Sequence, residues 1–239
     1  MPGPWSKIDK EINTVLKPHG FQRKGRAWHK ETDQVFFALE RRALPKTFED
    51  SVNKVNNFRF VVHMGCYYKI IPHGNFARKS GYIPEESECH IRLALRKNIT
   101  QVEDSNSEVW FIQSNESNTV EVLQDLNKSL QSVALPFFER FASIENAFST
   151  IFNNSDNHEA IFGWGGYKSP LYHLIIGYLS LLLGKKDLAL ECFEEVMKEV
   201  HDPLFPLLVQ SGGKENRPST FVKPDYDRLK AELDGSEIE

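Results

Sequence analysis

Between Asn57 and Ile71 the chain reads NFRFVVHMGCYYKII. Phe, Val and Tyr dominate this run, Pro is absent from it, and β-branched and aromatic side chains suit a pleated, packed surface. It predicts the strongest strand of the chain. A strand cannot satisfy its own backbone N–H and C=O groups, so the rest of the sequence has to supply partner strands and a cover.

Partner strands are legible on both sides. Phe21–Lys30 and Gln34–Arg42 alternate and are joined by the turn-like Glu31-Thr32-Asp33, which predicts a β-hairpin. Cys89–Leu95, CHIRLAL, reads as a strand with Cys89, Ile91, Leu93 and Leu95 on one face, and Glu108–Gln113, EVWFIQ, as another. Leu44–Asn57 and Pro72–Glu88 read as irregular connections. Helical spacing brackets these strands. Trp5, Ile8, Ile12, Val15 and Leu16 predict a helix that starts at Pro4 and is stopped by Pro18 and Gly20. Val120, Leu123, Leu126 and Leu130 predict a second over Thr119–Leu130, with a break at Pro136 and helix again over Pro136–Phe152. Beyond the Asn- and Gly-rich Asn153–Gly166, helices are predicted over Pro170–Leu183, Lys186–Val200 and Tyr226–Leu233, with a loop over Ser211–Pro218. One helix, a run of about five strands and then helices is the α+β pattern, with an antiparallel sheet and flanking helices. The expected division is an α+β domain over residues 1–155 and a helical C-terminal region over 156–239, the two packing as one unit or separately.

Bulk properties narrow the function. A net charge of −4 argues against a dedicated nucleic-acid binder. Cys66, Cys89 and Cys192 are scattered without a CxxC pair, which fits a reducing compartment rather than a disulfide scaffold. The start MPGPWSK lacks the apolar core of a signal peptide. The apolar run Leu171–Leu183 is too short to span a bilayer and carries a histidine, so a buried helix and a cytoplasmic chain are expected.

The pieces LKPHGFQRKGRAWHKE, FVVHMGCYYK, ECHIRLAL and ALPFFERFAS, in that order, resemble the bacterial family catalogued as domain of unknown function 4304, over residues about 5–150. The resemblance carries no catalytic residues across; it implies a bacterial, soluble protein, with immunity in toxin–antitoxin-type conflict as one assignment. YHLIIGYLSLLLGKKDLALECFEEVM resembles a single tetratricopeptide repeat through Gly177, Gly184, Ala189 and Phe193, small residues that let two helices approach and an aromatic that fills the seam. His173 and Ser180 stand where that pattern carries aromatics. A lone copy reads as one helical hairpin rather than a solenoid.

Chemistry-bearing patterns are few. GxSxG, HExxH, GxGxxG and EF-hand spacings are absent. Gly163–Ser169, GWGGYKS, fails phosphate-loop spacing and reads as a turn with Ser169 as N-cap. His63 and Cys66 should point to opposite faces of their strand, as should the adjacent Cys89 and His90, which together with His73 cannot converge on zinc. Cys66 and Cys89 read as buried rather than nucleophilic. Glu85-Glu86 and Glu194-Glu195 read as solvated pairs. No catalytic residue, cofactor site or metal site is assigned, and the chain is expected not to be an enzyme.

What stands out is charge. Residues 17–46 carry eight Lys and Arg against three carboxylates, and residues 185–239 carry thirteen carboxylates against eight Lys and Arg. Uninterrupted alternation through Phe21–Lys30 would put Lys24, Arg26 and Trp28 on one side and Phe21, Arg23, Gly25 and Ala27 on the other. The first set would form a cation–aromatic docking surface, and the alternative leaves Trp28 in the core with the cations solvated. The partner-binding candidates are Arg23, Lys24, Arg26, Trp28, Arg41 and Arg42. The expected function is protein binding of an immunity or inhibitor kind against a toxin or effector. A nucleic-acid partner on the basic hairpin 20–31 is the second reading, and an enzyme of unknown class the third.

Overall fold

In α1 (Pro4–Leu16), Pro4 occupies the first turn, where its missing N–H costs no helical bond. Ile8, Ile12, Val15 and Leu16 lie on its buried side. A 3-10 turn over Lys17–His19 and Gly20, whose φ of +85° is left-handed, end it. The structure is a computed structural model and describes residues 3–46, 57–71, 83–96, 108–153, 170–198 and 218–234. These form two compact units, Met1–Tyr67 with Pro84–Glu139 and Tyr68–Ile83 with Arg140–Glu239.

The first unit carries the sheet. Its strands are β1 (Gln22–Lys24), β2 (Ala27–Glu31), β3 (Val35–Ala43), β4 (Phe58–Tyr68), β5 (Ile91–Ala94) and β6 (Trp110–Ile112). They lie in the order β1-β2-β3-β4-β5, with β6 also paired to β4. The long apolar run forms a strand, as expected, and the longest of the sheet, with neighbours on both sides. β5 pairs antiparallel with its Cys66 end and β6 with its Phe58 end. The fold is α+β with an antiparallel sheet.

Three expectations change. The predicted first strand is two strands, because Gly25, at φ +63°, turns the chain with Arg26. Two residues spent in a turn reset the alternation on its far side. β5 starts at Ile91, and Cys89 ends a 3-10 turn over Glu86–Glu88. Cys89 therefore packs with Phe36, Ala38 and Tyr67 instead of sharing a face with Ile91 and Leu93. Pro136 does not break its helix. α2 (Thr119–Ser129) runs through a π turn over Leu130–Ala134 into α3 (Leu135–Arg140), and the wider turn accommodates a residue that lacks an N–H. The break comes later, before α4 (Ile144–Asn153), where Ser143 Oγ accepts from the Asn146 N–H.

One face of the sheet receives the helices. Trp5 of α1 meets Phe58 and Phe60 edge-on, and Phe60 stacks on Trp110. The Trp110 indole N–H donates to Asp125 of α2 at 3.0 Å, so a buried polar atom is satisfied inside an aromatic layer. Phe138 of α3 packs on Phe21 and Phe37. Full burial of side chains such as Leu39, Phe60 and Ile12 stabilises by about 1.5–3 kcal/mol each.

The second unit is helical: α4, α5 (Pro170–Leu182), α6 (Lys186–Lys198) and α7 (Pro218–Leu233), the last longer than predicted and passing through Pro224. Tyr172, Leu174–Ile176, Tyr178 and Leu179 of α5 are all buried, as a helix apolar nearly all round requires. Tyr178 packs on Phe193 of α6, and its hydroxyl donates to Asp225 of α7 at 2.8 Å. No helix among the described residues is long and apolar enough to cross a membrane. The expected readings for Pro72–Ile83, for GWGGYKS, for most of the Asn153–Gly166 boundary and for the Ser211–Arg217 loop lie outside the described residues.

Gly65 of β4 permits the close seating of Cys89: a Cβ there would stand 2.5 Å from Cys89 Cβ and 2.9 Å from the Ile91 carbonyl oxygen. Gly65→Ala is expected to destabilise the protein by about 1–3 kcal/mol, read from the urea midpoint. An unchanged midpoint would show that the Glu86–Cys89 turn does not rest on the sheet.

Candidate functional site

Neighbouring residues of β3 send their charges to opposite faces. Arg41 goes to the helix side. Its Nε donates to Asp9 Oδ1 of α1 at 2.7 Å, and its guanidinium lies 4.6 Å from the Trp5 ring centre. Asp9 also receives Arg23 Nη2 at 2.5 Å, so one buried carboxylate holds β1 and β3 to the helix.

Glu40 and Arg42 take the outer face. Arg26, at the β1–β2 tip, meets Glu40 at 3.0 Å, and Arg42 Nη2 donates to Glu40 and Glu86 at 2.9 Å each. Arg92 closes on Glu86 through Nε at 2.6 Å and Nη2 at 3.1 Å, and His63 Nδ1 stands 3.6 Å away. The result is a ladder of alternating charge from the β1–β2 tip across β3 and the 3-10 turn to β5. The Glu85–Glu88 capping box fixes that turn.

Glu86 corrects the solvated reading of the Glu85-Glu86 pair, because its side chain is 1% exposed. Burial alone would raise its carboxyl. Hydrogen bonds and positive charge from His63 and Arg92 outweigh that and hold it below the usual carboxylate range. Sequence reasoning missed it because its cations come from three strands. The available signals were Glu85 and Glu88 at capping-box spacing, which mark an ordered turn rather than a floppy loop.

The expected docking surface is not assembled as the alternation suggested. The register places Arg23 opposite Trp28 and Lys24 opposite Ala27. Trp28 is fully buried against the helix side, opposite Leu39, with the Arg23 guanidinium 5.5 Å from its ring centre. A side chain with no exposed area cannot stack on a partner, so Trp28 belongs to the core. Arg41 is buried on Asp9. Lys24 and Arg26 do share the outer side, joined there by Arg42 rather than by an aromatic. His29 lies on this side too; burial first and the Lys24 charge second push its imidazole down.

Cys66 is fully buried, and burial reinforced by Cys89 pushes its thiol well up; burial first, then Glu86, does the same for Cys89. Both are poor nucleophiles in this state. All three cysteines are free thiols. Among the described residues no three His, Cys, Asp or Glu side chains are grouped to hold a metal ion; His73 lies outside them.

A family profile with the description "Domain of unknown function (DUF4304)" matches residues 12–140, more than half of the chain. Comparison with curated proteins and with solved structures gives no match.

Two outcomes test the site's energetics. Asp9→Ala strands Arg41 and is expected to cost roughly 3–5 kcal/mol of stability, whereas Lys223→Ala, which removes an exposed pair with Asp227, should cost less than about 1 kcal/mol in the same denaturation assay. Glu86 has a folded pKa below its unfolded one, about 4.3 for a free Glu, so its contribution is present above that value and lost as pH falls through the lower folded pKa. Glu86→Gln should therefore flatten the acid limb of the stability–pH curve; an unaltered limb would place the linkage on other carboxylates.

Proposed function

The chain belongs to the DUF4304 family, and from that premise we propose that it is a non-enzymatic protein-binding module, an immunity or inhibitor protein that neutralises a toxin or effector. The supporting observation is the outer face of the sheet. Its charges are held in fixed positions by Glu86, a carboxylate anchored by Arg42 and Arg92. Charges fixed in advance discriminate partners, because a wrong one brings like charges together or leaves a group unpaired. Inhibition needs that complementarity and no convergence of acid, base and nucleophile.

The α5–α6 pair favours the tetratricopeptide-like reading of the second unit. A Cβ at Gly177 would stand 2.5 Å from the Phe193 ring, so the small residue lets the two helices close on the aromatic seam. Such hairpins are protein-binding elements when stacked in series. Three free, buried thiols suit the reducing cytoplasm, and the bacterial setting follows the family resemblance.

The test is capture with the intact chain from bacterial cells, followed by mass spectrometry of retained proteins and sequencing of retained nucleic acid. The expected outcome is one protein that co-elutes with the chain in gel filtration and whose toxicity the chain suppresses on co-expression. Retention of nucleic acid alone, weakening steeply with salt, would replace this reading with the nucleic-acid one.

A further inference from the structure

The outer ladder runs Arg26, Glu40, Arg42, Glu86, Arg92, so three guanidinium groups share two carboxylates. Among the described residues this row begins and ends on a cation. At the Arg92 end the cation is fully engaged, because this guanidinium binds Glu86 twice and its side chain is 17% exposed. At the other end Arg26 meets Glu40 through Nε, and its side chain is 66% exposed. Lys24, exposed and on the same side, adds a second positive charge there.

We infer that Lys24 and Arg26 receive carboxylate side chains from an acidic segment of a partner protein. The inference rests on the protein-binding reading and adds the chemistry of the partner. A carboxylate on Arg26 extends the alternation by one step, while Arg42 keeps both Glu40 and Glu86. The guanidinium fork suits a planar carboxylate, and Lys24 supplies a point charge beside it. A single-stranded nucleic acid fits less well, because the buried Trp28 offers no surface for stacked bases.

The probe is a fluorescein-labelled peptide of alternating Glu and Ser, titrated with the intact chain at low salt and read by anisotropy. A labelled single-stranded RNA of equal formal charge runs in parallel. Three variants are compared: Lys24→Gln with Arg26→Gln, Lys24→Glu with Arg26→Glu, and Lys10→Glu with Lys128→Glu. The last pair changes net charge as much as the reversal does, at exposed positions on α1 and α2. The expected result is peptide binding that salt weakens, falls roughly tenfold in the Gln pair, is lost in the reversed pair and persists in the α1–α2 pair. The Gln pair keeps the test valid if the reversed pair, which sets Glu beside Glu40, fails to fold. Absence of peptide binding to the wild type, an equal loss in the α1–α2 pair, or tighter binding of the RNA would overturn the inference. A captured protein that binds the wild type and the Gln pair equally would also overturn it while leaving the protein-binding reading intact; capture of no protein at all removes that reading itself.

Discussion

Asp9 is the point on which the first unit turns. A carboxylate buried on a helix is costly unless opposite charge and hydrogen bonds compensate it, and Arg23 and Arg41 do so from two different strands. The compensation is available in one arrangement of helix and sheet only. Sliding α1 by a turn would part Asp9 from Arg41, two nearly buried charges, beside Leu39, and sliding β3 by one residue would carry Arg41 to the opposite face and leave Asp9 without it. Hydrophobic burial drives α1 onto the sheet without specifying register. The buried ion cluster fixes which register is occupied.

The elements themselves were largely legible in the sequence. β4, α1 and α5 are long, strongly patterned segments, and each formed where its period put it. The candidate site was less so, and the reason is arithmetic on a period of two. Arg23, Lys24, Arg26 and Trp28 lie within six residues, and a two-residue turn among them decides which face each one takes. Alternation read without that turn assigns Trp28 to the wrong company. Gly25 was the available clue, since a left-handed residue between two charged, alternating pieces is hairpin chemistry. Cys89 failed for a related reason, because the strand pattern of CHIRLAL extends through residues that the preceding 3-10 turn has already claimed. Glu86 was out of reach of local reasoning altogether: Arg42 and Arg92 lie on strands that β4 separates.

The two charge clusters use the same chemistry for different ends. On the helix side Arg41 and Asp9 are nearly removed from water, so the cluster is unforgiving and serves the fold. On the outer face exposure rises steadily from Arg92 through Arg42 to Arg26. Charge there is screened and cheap to rearrange at one end and rigidly held at the other. That gradient gives the row a fixed base at Arg92 and a solvent-facing tip at Arg26.

Arg41 and Arg42 are consecutive in sequence, yet the thickness of the sheet lies between their guanidinium groups. Substitutions that alter one cluster therefore leave the other's contacts in place. The exposed end of the outer row, Lys24 and Arg26, can change without disturbing Asp9 and Arg41, whereas the buried Glu86 at its centre stays tied to the stability of the fold. Evolvability of this kind comes from strand geometry alone, since successive side chains along β3 report to separate selective pressures.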